Sequence, residues 1–165
     1  MMTTRKIALC GIIAGLYAAI TVLTSAFAFG PVQFRLAEAL AVLCCFEPVL
    51  TVGVTLGCFI ANLFSTVSAL DMVVGTLATL TACLIMTRCR RTWTAIWPNV
   101  LVNGVFIGAM LAWVTAPRAA FWQAFWICGL QVAAGELAVM VILGAPLYTY
   151  LKKSGLVAQL LEKIK

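Results

Sequence analysis

Gly30-Pro31-Val32-Gln33-Phe34-Arg35-Leu36-Ala37-Glu38-Ala39-Leu40 sets an arginine and a glutamate three residues apart in a chain that otherwise avoids charge for dozens of residues at a time. Residues three apart share one face of a helix. Ionisable groups in or beside a bilayer pair with one another, line a watery cavity or bind something. The fold must therefore give Arg35 and Glu38 a polar place in an apolar body.

How apolar that body is follows from composition. Of 165 residues, 64% are hydrophobic and 10% charged, and the mean hydropathy is +1.12, whereas a soluble domain carries about 25% charged residues. These values define an all-α integral membrane protein. Nearly all of the length lies in apolar runs, which leaves no room for a separate soluble domain and predicts a single transmembrane domain over residues 1–165. The seven cysteines (Cys10, Cys44, Cys45, Cys58, Cys83, Cys89 and Cys128) show no Cys-x-x-Cys spacing, and there is no histidine. Zinc, haem and histidine acid–base chemistry are disfavoured together, and the cysteines read as small apolar packers. The sequence lacks a Gly-x-x-x-x-Gly-Lys-Ser/Thr phosphate loop and a Gly-x-Ser-x-Gly nucleophile turn. Neither catalytic residues, nor a metal, nor a cofactor, nor a nucleic-acid partner is expected.

The first apolar run, Ile7 to Phe29, follows Thr3-Thr4-Arg5-Lys6 and ends in Ala26-Phe27-Ala28, which superficially resembles a signal peptide. Its apolar stretch of about 20 residues exceeds the roughly 7–15 of a signal-peptide core, so a retained span fits better. Pro31 and the charged pair separate it from a short segment, Leu36 to Phe46, which reaches bilayer thickness only when counted from about residue 32 and would let Arg35 snorkel. Glu47-Pro48 closes that segment. Further spans cover residues 48–67, 72–87 and 94–114. The last run, Ala119 to Leu151, is about 50 Å at 1.5 Å per residue, too short for two spans and a turn. One long helix is predicted, ended or kinked near Gly144 and Pro146, with Tyr148 and Tyr150 at the interface.

Six spans place Arg5, Lys6, Arg88, Arg90, Arg91, Lys152, Lys153, Lys163 and Lys165 on one side and leave Arg35 and Arg118 opposite. By the positive-inside rule that side is cytoplasmic. Both termini are then cytoplasmic, and residues 154–165 form a short amphipathic tail there.

On this topology Arg35 and Glu38 top the second span, Asn62 lies in the outer part of the third, and Asp71 caps the turn into the fourth. Asn103 lies in the fifth and Glu136 near the middle of the sixth. A carboxylate at that depth costs a few kcal/mol in lipid and must face the bundle interior. It either makes a structural pair with an amide or backbone donor, or belongs to a polar pocket open to the outside; the pocket is the favoured reading. Such a pocket suits a small, flat, polar ligand, since carboxylates accept from ring N–H and amino groups while amides do both. Trp122, Phe125 and Trp126 would stack on a ring, or else form an interfacial belt.

Small residues recur four apart: Gly11 with Gly15 and Ala14 with Ala18, Gly53 with Gly57, and Gly104 with Gly108. This spacing lets helices approach closely. In the first span it would serve both an internal contact and a partner outside the chain.

Gly30 to Leu40, with its Gly-Pro-x-Gln-Phe-Arg pattern, together with Gly57-Cys58-Phe59-Ile60-Ala61-Asn62-Leu63 and Leu70-Asp71-Met72-Val73-Val74-Gly75-Thr76-Leu77-Ala78-Thr79-Leu80, resembles the queuosine-precursor transporter family (QueT). Val102-Asn103-Gly104 and Gly135-Glu136-Leu137 extend the likeness, which runs from about Thr4 to Lys153. The resemblance implies a six-helix S component of an energy-coupling factor (ECF) transporter, multi-pass in the bacterial plasma membrane. It would capture a 7-deazaguanine base outside, associate with a transmembrane coupling subunit and two ATPase subunits, and topple in the bilayer to deliver its load. Ala14-Gly15-Leu16-Tyr17-Ala18 matches the Ala-x-x-x-Ala pattern with which S components contact the coupling subunit; Gly11 and Gly15 would share that docking. Chemistry, rather than the resemblance, assigns the site: Glu136 and Asn103 reading the guanine-like edge, Asp71 or Glu38 meeting a cationic aminomethyl group, Arg35 holding Glu38 or Gln33, with Asn62 and Trp126 nearby. The alternatives are an S component for another vitamin, which the Gly30–Leu40 motif argues against, and a self-sufficient ion-coupled carrier.

Overall fold

The computed structural model describes residues 3–29, 32–65 and 67–155, and within them the chain is all-helical. The order is α1 (Thr4–Leu23), a short α2 (Ser25–Ala28), a 3₁₀ helix (Leu36–Cys45), α3 (Leu50–Asn62), α4 (Ala69–Met86), α5 (Thr92–Thr115), a 3₁₀ turn (Arg118–Ala120), α6 (Phe121–Val139), a π-turn (Met140–Gly144) and α7 (Ala145–Ser154). By length and composition, four helices can cross a membrane: Thr4–Leu23, Ala69–Met86, Thr92–Thr115 and the continuous Arg118–Ser154. The 3₁₀ helix and α3 are shorter apolar helices of 10 and 13 residues.

Local chemistry sets the boundaries. Thr3 caps α1 by accepting from the Lys6 N–H (3.4 Å). Ser68 caps α4 by accepting from the Leu70 N–H (3.1 Å), with Asp71 in the favourable first turn. The first apolar run breaks at Thr24, where α1 ends before α2. The last run, expected to end or kink near Gly144 and Pro146, continues as helix through both. It widens into the π-turn, and Pro146 falls in the first turn of α7, where a missing N–H costs little. Tyr148 is correspondingly buried against Phe46 (ring centroids 5.0 Å apart) rather than interfacial, while Tyr150 is exposed. The expected break at Pro31 lies outside the described residues, as does the tail from residue 156.

Close backbone contacts at glycine organise the bundle. A β-carbon on Gly57 would come 2.7 Å from the Ala14 carbonyl oxygen, and one on Gly53 would come 2.8 Å from that of Cys10, so α3 lies directly on α1. Gly104 and Gly108 of α5 meet Gly129 of α6 in the same manner. The 3₁₀ helix runs through the middle and touches α1, α3, α4, α5, α6 and α7. Large apolar side chains such as Ile12, Leu23, Leu101, Leu130 and Ile142 point outward, the arrangement a lipid solvent favours.

Candidate functional site

The polar residues of this apolar chain converge inside the bundle. Gln33, Arg35, Glu38, Asn62, Asp71, Asn99, Asn103 and Glu136 are each at most 4% exposed. Arg35, which caps the 3₁₀ helix, donates from Nη2 to both carboxylate oxygens of Asp71 (3.1 and 3.0 Å). Ser65 donates to Asp71 Oδ2 (2.7 Å), and Asn62 Nδ2 donates to the Asp71 carbonyl (3.1 Å). Gly75 leaves room for this group, since a β-carbon there would come 2.8 Å from Asn62 Nδ2 and 2.9 Å from Asp71 Oδ1.

The expected Arg35–Glu38 partnership is therefore replaced. Arg35 precedes the helix with non-helical backbone (φ −83°, ψ 86°), so the face-sharing rule for helical residues does not bind it, and its guanidinium reaches the turn between α3 and α4. Glu38 has its own donors: Oε1 accepts from Tyr17 (2.6 Å) and Thr79 (2.9 Å), and Oε2 accepts from Asn99 (3.0 Å). Cys58 Sγ, 3.2 Å from Thr79 Oγ1 and 3.4 Å from Asn62 Nδ2, joins the two groups. Neither Arg35 nor Glu38 snorkels to an outer rim; both are sealed inside.

A second part of the core is left unsatisfied. Gln33 Nε2, both amide atoms of Asn103 and Glu136 Oε2 are buried with no hydrogen-bond partner among the described residues, as are Arg35 Nε, Asn62 Oδ1 and Asn99 Oδ1 in the first part. Each such atom costs about 1–3 kcal/mol. Glu136 lies within electrostatic reach of Glu38 and Arg35, and the Asn103 amide lies close enough to act on it as a weak hydrogen-bond donor, short of good geometry. Gln33 is brought close to α6 by a tight approach: a β-carbon on Gly135 would overlap the Val32 carbonyl oxygen and come 3.1 Å from that of Gln33. Gln33 itself has φ +46°, left-handed backbone that a non-glycine residue adopts at a cost and that clusters at functional sites. Around Gln33, Asn103 and Glu136, two donors and two acceptors are thus left without a protein partner.

Other predicted residues lie elsewhere. Trp126 does not join the core. It is 63% exposed, on a groove lined by Leu101, Val105, Gly129 and Leu130, because the Gly104–Gly108–Gly129 contact turns this face of α6 outward. On α1 the docking residues split. Ala14 and Ala18 are 3% and 9% exposed, with Ala14 packed on Gly57 of α3, so they are used inside the chain. Gly11 and Gly15 are exposed, and a β-carbon on either meets nothing within 4 Å.

Sequence reasoning missed Tyr17, Cys58, Thr79 and Asn99. Asn99, directly after Pro98 within an apolar helix, carried a signal: an amide there needs a partner. Tyr17, Cys58 and Thr79 look like ordinary membrane-helix residues and carried none.

A helical body with an apolar exterior, bilayer-length helices and a buried polar core is that of an integral membrane protein. The QueT transporter family model matches residues 7–153, and the chain belongs to that family. The protein named "Queuosine precursor transporter QueT" of Lactococcus lactis subsp. cremoris (strain MG1363) is 38% identical over 79 residues, 47% of this chain and 46% of the relative. The chain thus spans about half the length of the curated relative in this match. No solved structure matches it.

Proposed function

We propose that this chain is the substrate-binding membrane subunit of an ECF-type transporter that takes up a queuosine precursor, a 7-deazaguanine base, with ATP hydrolysed by separate subunits. The observation that carries this reading is the unsatisfied set of Gln33, Asn103 and Glu136. A guanine-like edge offers ring N–H and amino donors beside a carbonyl acceptor. Glu136 Oε2 and Asn103 Oδ1 would take the donors, and Asn103 Nδ2 and Gln33 Nε2 would give to the carbonyl. With Asp71 held by Arg35 and Ser65, and Glu38 by Tyr17, Thr79 and Asn99, these two carboxylates act as positioning residues. Glu136 is the carboxylate free to meet the base.

In this reading the chain makes six spans in the bacterial plasma membrane, with residues 32–46 and 48–67 supplying the two short ones. Both termini are cytoplasmic, which places nine of its eleven Lys and Arg residues inside. The transmembrane coupling subunit docks on the exposed Gly11–Gly15 edge of α1, beside Ala14 and Ala18, which pack inside the chain.

The test is a binding titration of the purified chain against deazaguanines and vitamins, with uptake measured in cells with and without the coupling ATPases. Deazaguanine binding and ATPase-dependent uptake are expected. Binding of a vitamin instead overturns the substrate, and uptake that persists without the ATPases overturns the coupling.

A further inference from the structure

The turn between α4 and α5 carries Arg88, Arg90 and Arg91, and the three line one cavity of ≈ 500 Å³ with Ile85, Cys89 and Thr94. A fourth cation reaches the same turn from α7, where Lys152 donates to the Arg90 carbonyl oxygen (3.4 Å). The turn is pinned locally. The Arg91 N–H donates to Thr94 Oγ1 (3.3 Å), the Thr94 hydroxyl donates to the Arg91 carbonyl (2.8 Å), and the Cys89 thiol donates to the Thr94 carbonyl (3.1 Å).

The chain's own acids do not answer this charge. Of its five acidic residues, Glu38, Asp71 and Glu136 are committed to the core, Glu47 pairs with Lys6 (3.5 Å), and Glu162 lies outside the described residues. Among the described residues the ion pairs are Lys6–Glu47 and Arg35–Asp71. Gathering like charges on an ordered turn is unfavourable unless an anion is shared between them, and guanidinium forks match phosphate oxygens well.

What surrounds the cations selects among anions. Leu84 and Ile85 at the end of α4, and Trp93 and Trp97 at the start of α5, are 43–72% exposed. Indoles favour the headgroup level of a bilayer. A charged cavity beside such an apolar flank suits an amphiphile better than a free ion.

We propose that the α4–α5 turn is a binding site for an anionic phospholipid, its phosphate held by Arg88, Arg90 and Arg91 and its acyl chains lying along Ile85 and Trp97. The site is distinct from the buried polar core and does not rest on the transport reading. An occupant there would fix the depth of this turn in the membrane, as basic clusters at the bilayer surface do with acidic lipids.

Native mass spectrometry of the full chain tests this, with short-chain phosphatidylglycerol and phosphatidylcholine as probes and glycerol 3-phosphate as competitor. Phosphatidylglycerol is expected to be retained at concentrations about tenfold lower than phosphatidylcholine, with the preference lost in R88Q/R90Q/R91Q and kept in R118Q. Equal retention of the two lipids, or wild-type retention by the triple variant, overturns the site. Displacement of the lipid by equimolar glycerol 3-phosphate overturns the lipid as its occupant. Should the triple variant misfold, the single variants R88Q and R91Q carry the test: each is expected to weaken phosphatidylglycerol retention more than R118Q does, and parity with R118Q overturns the proposal.

Discussion

Val32 and Gly135 meet with no side chain between them: the carbonyl oxygen of Val32 occupies the place a β-carbon on residue 135 would take. The contact sets the strained Gln33 beside the helix that carries Glu136, so two unsatisfied groups share one short stretch of backbone-to-backbone packing. Because the atom in the way belongs to the main chain, it cannot swing aside as a flexible side chain would. Gly135→Ala should cost about 1–3 kcal/mol of stability, as over-packing does, and should weaken deazaguanine binding more than thermal stability. Thermal unfolding in detergent and a binding titration on the same preparation measure the two effects.

Glu136→Gln and Asn103→Ala should separate binding from folding. Glu136 Oε2 and both amide atoms of Asn103 make no internal hydrogen bond of good geometry, so the loss of either removes at most their weak mutual contact. The unfolding midpoint is expected to hold or rise for each, because a buried unsatisfied group is removed or neutralised, while deazaguanine affinity falls at least about tenfold, the loss of about one charge-assisted hydrogen bond. Unchanged affinity in Glu136→Gln would return this residue to a structural role.

Arg35 and Asp71 should behave in the opposite way. Their pair is 3.0 Å long, with both side chains at most 3% exposed, and removing one member leaves the other charged and unpaired. Arg35→Met alone should destabilise by about 3–5 kcal/mol. The double variant Arg35→Met with Asp71→Leu should recover most of that loss, and a double-mutant cycle on unfolding free energies reports the difference.

Tyr17→Phe removes the 2.6 Å donor to Glu38 without changing shape. Destabilisation of about 1.5–3 kcal/mol is expected, the range for a hydrogen bond to a charged group. Thr79→Val takes away the other donor to the same oxygen. Tyr17→Phe combined with Thr79→Val should therefore be non-additive, and chemical unfolding of the three variants checks it.

Glycines on α1 and α3 should respond differently to the same change. Gly57→Ala meets Ala14 and Tyr17 at 2.7 Å and should lower stability by about 1–3 kcal/mol. Gly11→Ala meets nothing within 4 Å and should raise helix stability by up to about 1 kcal/mol. Gly11→Leu should leave the isolated chain folded and, if the proposed coupling subunit docks there, reduce co-purification with it, which a pull-down would show.

What the sequence revealed, and what it hid, divides along physical lines. Long apolar runs have few alternatives, so α1, α4, α5 and the long helix from residue 118 were legible from hydropathy. Rare polar residues in such runs must be buried together, which is why Gln33, Arg35, Glu38, Asn62, Asp71, Asn103 and Glu136 could be singled out. Their pairing was not legible. Choosing Asp71 over Glu38 for Arg35 depends on backbone that is not yet helical at residue 35, and no periodicity records that. Trp126 was misplaced because an aromatic residue near a helix end reads the same whether it faces a pocket or lipid. Only the packing of Gly129 on α5 decides the side. Ala14 and Ala18 followed the same logic, since a small-residue pattern shows that something packs closely but not whether it lies inside the chain.

The 3₁₀ helix Leu36–Cys45 holds length in reserve. Ten residues wound this way rise about 20 Å, against about 15 Å in α-helical form, so this segment reaches about as far as the thirteen residues of α3. Rewinding it as an α-helix would shorten it by about 5 Å and turn Glu38 by about 120° relative to Cys44. That turn would carry the carboxylate away from Tyr17, Thr79 and Asn99. The three hydrogen bonds to Glu38 are therefore ones that the 3₁₀ winding, and not an α-helical one, brings into register.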